Sequence, residues 1–298
     1  MGQRLPNAEV DPLQALGHWP SELRDSLCPL GNAGGFSGAR LWRIGDSFVL
    51  RASPPDQADV SSAHLWMSEA RDAGLLFVPA IVPTLAGPTW LVLDGRLWEL
   101  QSWLPGVADY HTAPSTARLV AACTALAKLH FVWQRHLLSP RPAPAVQRRL
   151  TALTGGVVHG RLQPYAAKRY VLQPCLVDVW HDHVLFSGNE VTGIVDYAAM
   201  QFDVPHADLA RLLGSLVEDD DTGWATGLEA YCRYLQIPDV NLVRLLDRAG
   251  TLVAWRRWEQ RAIEGRVISE GARRRLERLR RRVMQWTPEE RSGITLSL

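Results

Sequence analysis

Hydrophobic positions follow a strand-like pattern first and a helical pattern later in the chain. Residues 30–52 contain two short apolar runs around a glycine-rich turn, which predicts a hairpin. Residues 78–106 predict further short strands joined by glycine and proline turns, including one at Asp94-Gly95. Residues 61–75 have helical spacing instead. The N-terminal part is therefore predicted to be β-rich with one main helix.

The helical pattern begins after residue 105. Residues 115–133 carry apolar side chains at helical spacing, and the three prolines of the following SPRPAPAV segment end that run. From residue 205 to residue 286 the pattern is again helical. We therefore predict an α+β protein of two lobes, a small β-rich lobe over residues 1–105 and a larger α-helical lobe over residues 106–298.

Composition and charge argue against several classes of partner. The chain has 32 lysines and arginines against 31 acidic residues, so net charge gives no general reason to expect nucleic acid binding. No apolar run approaches the roughly 18 residues of a membrane span, and the N-terminus lacks an apolar signal core. The four cysteines show no metal-binding or disulfide spacing. We expect a cytoplasmic protein with reduced thiols and no membrane partner.

A segment near the C-terminus, GARRRLERLRRRVMQW, is locally basic although the whole chain is nearly neutral. Leu276, Leu279, Val283 and Trp286 follow helical spacing within it. We interpret the arginines as the solvated face of a packed helix, with nucleic acid binding as the minor alternative.

Two carboxylates lie at the ends of neighbouring strand-like runs in the segment CLVDVWHDHVLFSGNEVTGIVDYAAM. They are Asp178 and Asp196, and the ligand-capable residues His181, Asp182 and His183 lie between them. Phosphoryl transfer uses one carboxylate to orient the attacking hydroxyl and another to hold the metal. A zinc or manganese hydrolase could use the same residues. The segment alone leaves both chemistries open.

The N-terminal part supplies residue types suited to binding phosphate. A glycine-rich turn lets backbone N–H groups approach phosphate closely. Arg51 ends the next strand, where its charge could reach the same phosphates, and Glu69 on the following helix could hold that cation. This order of hairpin, cation, helix acid and two late aspartates is found in kinases. The hairpin residues are Gly34, Gly35, Phe36, Ser37 and Gly38.

Together these segments resemble the aminoglycoside phosphotransferase-like family, or phosphotransferase enzyme family, of protein-kinase-like small-molecule kinases. VDVWHDHVLFSGNEVTGIVDYAAM is similar to the family's HGDxHxxN catalytic loop and the metal-binding aspartate strand after it. GGFSGARLWRI and FVLR are similar to its nucleotide-covering hairpin, and LPG to its lobe linker. LAKLH and DVPHADLARLL are similar to the segments before and after the catalytic loop. The resemblance covers about residues 30–260 and implies a two-lobed protein-kinase-like fold.

The resemblance also implies roles for individual residues. Asp178 matches the catalytic base and Asp196 the metal-binding aspartate. Arg51 stands where the family's phosphate-contacting lysine often stands, with Glu69 as its ion-pair partner. Gln101 and Trp103 fall near the linker, where the base of the nucleotide would bind, although Trp103 could instead be a core residue.

The chain departs from the family pattern at two places. Leu176-Val177 replaces the His-Gly pair before the catalytic aspartate, and His183 replaces the second metal-binding asparagine. We expect ATP and a divalent metal, Mg²⁺ or Mn²⁺, with Asp196 and either His183 or Asp182 as ligands. Two functions remain open. One is an ATP-dependent O-phosphotransferase for a hydroxylated metabolite or antibiotic-like acceptor, and the other is a pseudokinase-type nucleotide-binding or interaction module.

Other polar residues are predicted to be structural. His130 and His181 are interpreted as structural histidines, and Asp208 as a helix cap. The acidic run at residues 218–221 is either a solvated loop or an attractant for a polyamine-like cation. We expect a small-molecule acceptor whose specificity comes from residues 137–174 and the C-terminal helices, and a monomer or homodimer.

Overall fold

The structure is a computed structural model that describes residues 11–23, 26–32, 38–55, 59–237, 239–264 and 270–291. The chain divides into two compact units, Met1–Leu104 and Pro105–Leu298. The strands are β1 (Leu27–Asn32), β2 (Arg40–Ile44), β3 (Phe48–Ser53), β4 (Ile81–Val82), β5 (Leu91–Leu93), β6 (Arg96–Ser102), β7 (Leu138–Pro142), β8 (Arg169–Cys175), β9 (Val184–Ser187), β10 (Glu190–Ile194) and β11 (Gln201–Asp203). The helices are α1 (Pro12–Leu16), α2 (Val60–Asp72), α3 (Thr116–Trp133), α4 (Pro144–Ala152), α5 (Gly156–Leu162), α6 (Pro205–Leu216), α7 (Asp221–Cys232), α8 (Val240–Ile263), α9 (Glu270–Met284) and α10 (Pro288–Arg291), and short 3₁₀ turns lie at Ser21–Leu23, Gln134–His136, Gln163–Tyr165 and His181–His183.

The N-terminal unit is built on an antiparallel sheet. Its strands lie in the order β1-β2-β3-β6-β4, and β5 also pairs with β6. The pairing of β1 with β2 confirms the hairpin predicted over residues 30–52. Helix α2 confirms the helix predicted over residues 61–75; the side chain of Asp59 caps its first turn by accepting a hydrogen bond from the Ser62 N–H.

The core of this unit lies where tryptophans from two strands meet the first helix. The rings of Trp42 and Trp98 stack with centroids 5.6 Å apart. Leu16 of α1 and the neighbouring Trp19 are fully buried in the same cluster, and the Trp19 indole N–H donates to the Val82 carbonyl at 2.9 Å. The sequence did not predict α1, because a helix of one turn shows no periodicity.

The C-terminal unit is mainly helical. Helix α3 packs against α6 and α7, and α8 packs against α6 and α9. Trp133, Trp224, Tyr231 and Phe186 are among its fully buried side chains. Helices α3, α6 and α7 confirm the helical segments predicted from sequence. Within the described residues, no helix is long and apolar enough to cross a membrane.

The proline-rich segment after α3 does more than end that helix. Residues Leu138–Pro142 form β7, the edge strand of a three-stranded sheet in the order β11-β8-β7. Proline lacks a backbone N–H, so an edge strand tolerates it where a central strand does not. Helix α4 then begins at Pro144, a first-turn position that suits proline. The sequence indicated only the break.

Candidate functional site

The loop after β8 holds Asp178 on a strained backbone. Val177, the residue before it, has a φ of +67°, an unfavourable region for a β-branched residue. The Asp208 carboxylate on α6 accepts hydrogen bonds from the backbone N–H groups of Leu176 and Val177 at 2.6 and 2.7 Å. These two charge-assisted bonds hold the loop in its strained conformation.

Asp208 belongs to a fully buried polar network. The Asp208 carboxylate lies 3.0 Å from His130 Nε2, and His130 Nδ1 lies 2.6 Å from the Tyr231 hydroxyl. His130 therefore has the structural role that the sequence predicted. The cap predicted at Asp208 is wrong, because its carboxylate braces the loop rather than its own helix.

Cys175 completes a group of three potential metal ligands with His130 and Asp208, whose ligand atoms lie within 4.8 Å of one another. Both ring nitrogens of His130 already have partners. Burial raises the pKa of the Cys175 thiol well above its usual value, so the thiol stays protonated. We assign this cluster to structure rather than to metal binding.

The Asp178 carboxylate is paired on one oxygen and open on the other. Its Oδ1 atom accepts a hydrogen bond from Arg211 Nε at 3.1 Å and lies 3.1 Å from Arg211 Nη2. The side chain is 49% exposed, and no described residue donates to Oδ2. The sequence reasoning missed Arg211. The available signal is its place three residues after Asp208, which puts both side chains on one face of α6.

His183 lies between the backbone of Asp178 and the carboxylate of Asp196. The Trp180 indole can only donate, so its 2.8 Å contact with His183 Nε2 makes that nitrogen an acceptor. The proton is therefore on Nδ1, which donates to the Asp178 carbonyl at 2.7 Å. Asp196 Oδ2 lies 3.7 Å from Nε2. The loop thus brings Asp178, His183 and Asp196 together around one neutral imidazole.

Burial lowers the pKa of His183, while the charges of Asp196 and Asp178 oppose that shift in part. Because the Nε2 lone pair accepts from Trp180, coordination of a metal by His183 would require loss of that hydrogen bond. The carboxylates of Asp196 and Asp182 are 37% and 51% exposed and offer hard oxygen ligands.

The hydrolase alternative needs three or more preassembled ligands. Among the described residues, the buried cluster around His130 is the one such group within 4.8 Å. The segment from Asp178 to Asp196 contains no such group of three ligands. His181 lies in this segment, but its Nε2 atom accepts a hydrogen bond from Arg278 Nη1 at 3.0 Å. Its backbone N–H donates to Ser215 Oγ at 2.9 Å, which supports the predicted structural role.

The basic helix α9 is only partly a solvated face. Val283 and Trp286 are buried as predicted, but so is Arg282, at 4% exposure. The Arg282 guanidinium lies 2.6 Å from Asp247 Oδ2 and 3.0 Å from Asp219 Oδ1. The prediction that the arginines face solvent is wrong for this residue, because its partners are the buried Asp247 and the half-buried Asp219.

In the N-terminal unit, Arg51 lies in a buried polar cluster. Arg51 Nη1 donates to Glu99 Oε1 at 3.3 Å, directly across the β3–β6 ladder. The other Glu99 oxygen contacts His64 Nε2 at 2.9 Å. Burial raises the Glu99 pKa, but His64 and Arg51 lower it by more, so the carboxyl has a pKa below its usual value. The sequence reasoning missed Glu99 and His64.

Four other residues predicted to bind nucleotide, Gly38, Glu69, Gln101 and Trp103, belong to the same unit. Gly34–Ser37 lie outside the described residues. Gly38 has a φ of +63°, which favours glycine. Glu69 is half-buried on α2, and its pairing with Arg51 stays a prediction. The Gln101 amide donates to Glu99 Oε1 at 2.9 Å, and the Arg43 guanidinium lies 4.6 Å from the centroid of the half-buried Trp103 ring.

Comparison with solved structures shows the same fold in several small-molecule kinases. The microcompartment-associated aminopropanol kinase aligns over 95% of this chain and 98% of its own, with a TM-score of 0.64 and 16% identity. Spectinomycin phosphotransferase APH(9)-Ia, solved with ADP and spectinomycin, aligns over 95% and 96%, with a TM-score of 0.60 and 12% identity. A choline/ethanolamine kinase family protein from Mesorhizobium loti aligns over 92% and 94%, with a TM-score of 0.57 and 17% identity.

These alignments confirm the predicted α+β, kinase-like fold class. By sequence, no curated protein gives a significant match. A sequence profile of the phosphotransferase enzyme family (APH) matches residues 30–246, which is most of the chain. The match includes the hairpin, Arg51, the loop around Asp178 and the bracing residue Asp208. The chain therefore belongs to the phosphotransferase enzyme family.

Proposed function

We propose that the protein is an ATP-dependent O-phosphotransferase that acts on a hydroxyl group of a small molecule. The observation that carries the proposal is the Asp178 carboxylate, whose side chain is 49% exposed, with Oδ1 held by Arg211 and no described donor on Oδ2. A carboxylate fixed by one oxygen is suited to orient an acceptor hydroxyl with the other. Membership of the family and the ADP bound to one structural neighbour support nucleotide as the phosphoryl donor.

In the proposed reaction, Asp178 Oδ2 accepts the acceptor hydroxyl proton as the new oxygen–phosphorus bond forms. The bond between the γ-phosphorus and the bridging oxygen breaks, and ADP leaves with that oxygen. Arg51 contributes a guanidinium for phosphate oxygens, and Glu99 with His64 keeps its side chain in place. The nucleotide-covering role of Gly34–Gly38 and the base-binding role of Gln101 and Trp103 are part of the same proposal.

We also propose that Asp196 holds the divalent metal, Mg²⁺ before Mn²⁺, with Asp182 as the second candidate ligand. Magnesium is commonly bound by one or two carboxylates together with substrate phosphates, so two protein oxygens suffice. The metal would neutralise charge that develops on the phosphates. His183 fits this site better as the residue that orders the loop between Asp178 and Asp196, because both of its ring nitrogens are engaged.

The proposal is tested by ADP release from ATP and Mg²⁺ over a panel of hydroxylated metabolites. Asp178→Asn keeps the shape of the side chain but removes the proton acceptor, so acceptor-dependent ADP release should fall at least about 100-fold. Asp72→Asn, at the exposed end of α2, is the matched control and should keep full activity. Equal rates in both variants, with folding intact, would exclude Asp178 as the base.

A nucleotide-binding module without transfer is the second candidate. It is favoured by the strained Val177 at the glycine position of the motif and by His183 at the asparagine position. Thermal unfolding with ATP alone, with Mg²⁺ and with Mn²⁺ measures nucleotide binding independently of turnover. Stabilisation by nucleotide with no phosphorylated product from any acceptor would favour this candidate over the kinase.

A further inference from the structure

Within the acidic run at residues 218–221, Asp219 and Asp221 are paired with arginines. Asp219 accepts from both Arg282 and the Trp286 indole, and Asp221 accepts from Arg244 at 2.6 Å. Asp220 caps α7 by accepting from the Thr222 N–H at 3.0 Å. The arginine partners of Asp219 and Asp221 offset part of the charge that could attract a polyamine-like cation, and the exposed side chain of Asp221 agrees with the predicted solvated loop.

Arginines, by contrast, converge on the loop that carries Asp178. The Arg275 guanidinium of α9 lies 4.2 Å from the centroid of the Trp180 ring, and that of Arg211 lies 5.4 Å from the same centroid. Trp180 is two residues from Asp178. Both guanidinium groups therefore lie against a ring of the loop that carries the proposed catalytic carboxylate.

The two arginines differ in how their charge is balanced. Arg211 is paired with Asp178. In the part of the chain that the structure describes, no carboxylate lies within ion-pair distance of Arg275, whose direct contacts are with the rings of Trp180 and Trp258. Asp178 and Asp182 act on it only over longer range.

The environment of Arg275 is unfavourable to its own charge. Burial first, and the neighbouring charge of Arg211 second, lower the Arg275 pKa to about 10. The guanidinium still remains protonated at neutral pH. A half-buried cation without a bonded anion gains stability when an oxyanion reaches its planar donor groups, and it disfavours a second cation nearby.

We infer that the acceptor carries an oxyanion, either a carboxylate or a phosphate monoester, in the same molecule as its reacting hydroxyl, and that Arg275 binds this oxyanion. The inference rests on the proposed role of Asp178, since that residue locates the acceptor. Trp180 holds the guanidinium plane in position. The charge of Arg275, unpaired among the described residues, disfavours a polycationic acceptor.

The test is calorimetric binding of matched probes to the full chain. One set is glucose, glucosamine, glucuronate and glucose 6-phosphate; the other is glycerol, 3-aminopropane-1,2-diol, glycerate and glycerol 3-phosphate. Within a set the anionic members should bind at least about tenfold tighter than the neutral member, and the cationic member weakest. Tighter binding of the carboxylate probe or of the phosphate probe shows which of the two oxyanions the site prefers.

Three variants connect that preference to one residue. Arg275→Gln should lose about tenfold in affinity for the anionic probes and leave the neutral probes unchanged. Arg275→Lys, which keeps the charge but loses the planar fork, should recover part of the loss. Arg273→Gln removes an equal charge from the exposed side of the same helix and should change nothing.

The result that overturns the inference is equal binding of neutral and anionic probes, or an anionic preference that survives in Arg275→Gln. Binding is measured without turnover, so this failure is separate from failure of the proposed function. If the protein is inactive but still binds anions through Arg275, the proposed function fails and the oxyanion site stands. If the protein is an active kinase that prefers neutral or cationic acceptors, the proposed function stands and the oxyanion site fails.

Discussion

At the scale of single residues, Val177 holds a conformation that its side chain opposes. A non-glycine residue with positive φ costs about 1–3 kcal/mol, and glycine avoids this cost but loses about 0.5–1 kcal/mol of backbone entropy. We expect Val177→Gly, which restores the glycine of the family motif, to raise the free energy of unfolding by about 1 kcal/mol. Urea denaturation measures this difference.

The matched control is Val171→Gly, the same substitution at an exposed position of β8 with ordinary backbone geometry. It should lower the free energy of unfolding by about 0.5–1 kcal/mol, because glycine weakens a strand. A loss of stability at both positions would show that packing of the Val177 side chain outweighs its strain.

His181 is expected to make stability depend on pH, as are His111 and His183, whose pKa values burial also lowers. Burial, then His111 and the nearby arginines, lower the pKa of His181 from the usual value of 6.5 to about 2. Between those two values the unfolded chain binds one more proton than the folded chain, so stability falls as pH falls. For this histidine the expected slope rises from about 0.7 kcal/mol per pH unit at pH 6.5 to about 1.4 kcal/mol per pH unit near pH 5.

Urea denaturation at several pH values between 7 and 5 measures that slope. His181→Gln keeps an acceptor for Arg278 but cannot titrate, so its mean slope over this range should be smaller by about 1 kcal/mol per pH unit. An unchanged slope would mean that His181 becomes protonated in the folded protein.

At the scale of elements, Arg282 attaches α9 to the rest of its unit. One guanidinium binds carboxylates from two other segments and the Gly214 carbonyl on α6, at 3.1 Å. Removal of one partner from a buried ion pair leaves an uncompensated charge, at a cost of about 3–5 kcal/mol. We expect this loss in Arg282→Ala, measured by denaturation. Arg281→Ala, its exposed neighbour, should change stability by less than about 0.5 kcal/mol; comparable losses would refute the anchoring role.

Periodic elements could be predicted from sequence, while features that depend on register could not. Helices α2, α3, α6 and α7 follow from apolar spacing. The pairing of Arg51 with Glu99 depends on the register of β3 against β6, which no local pattern contains. The edge strand β7 was hidden by its prolines, which usually indicate a break.

Site residues divide in the same way. The motif located Asp178 and Asp196, and their meeting around His183 agrees with the spacing of that segment. The partners Arg211 and Arg275 come from α6 and α9, far away in sequence, so only tertiary structure shows them beside Trp180. The charge of the proposed acceptor site therefore could not be predicted from the sequence, whereas the two motif aspartates could.

At the scale of the whole molecule, the proposed activity depends on residues from both compact units. Arg51, the proposed phosphate-binding cation, belongs to the first, and Asp178 with Asp196 belongs to the second. Phosphoryl transfer needs both functions in one reaction. The central claim is that the chain still carries out this reaction although two motif positions have changed.

The most direct measurement is the mass of the acceptor after incubation with ATP and Mg²⁺. The account predicts an acceptor heavier by one phosphoryl group, matched by an equal amount of ADP, with wild-type protein and not with Asp178→Asn. Acceptor of unchanged mass beside nucleotide that binds but is not consumed, or equal product from both proteins, would contradict it.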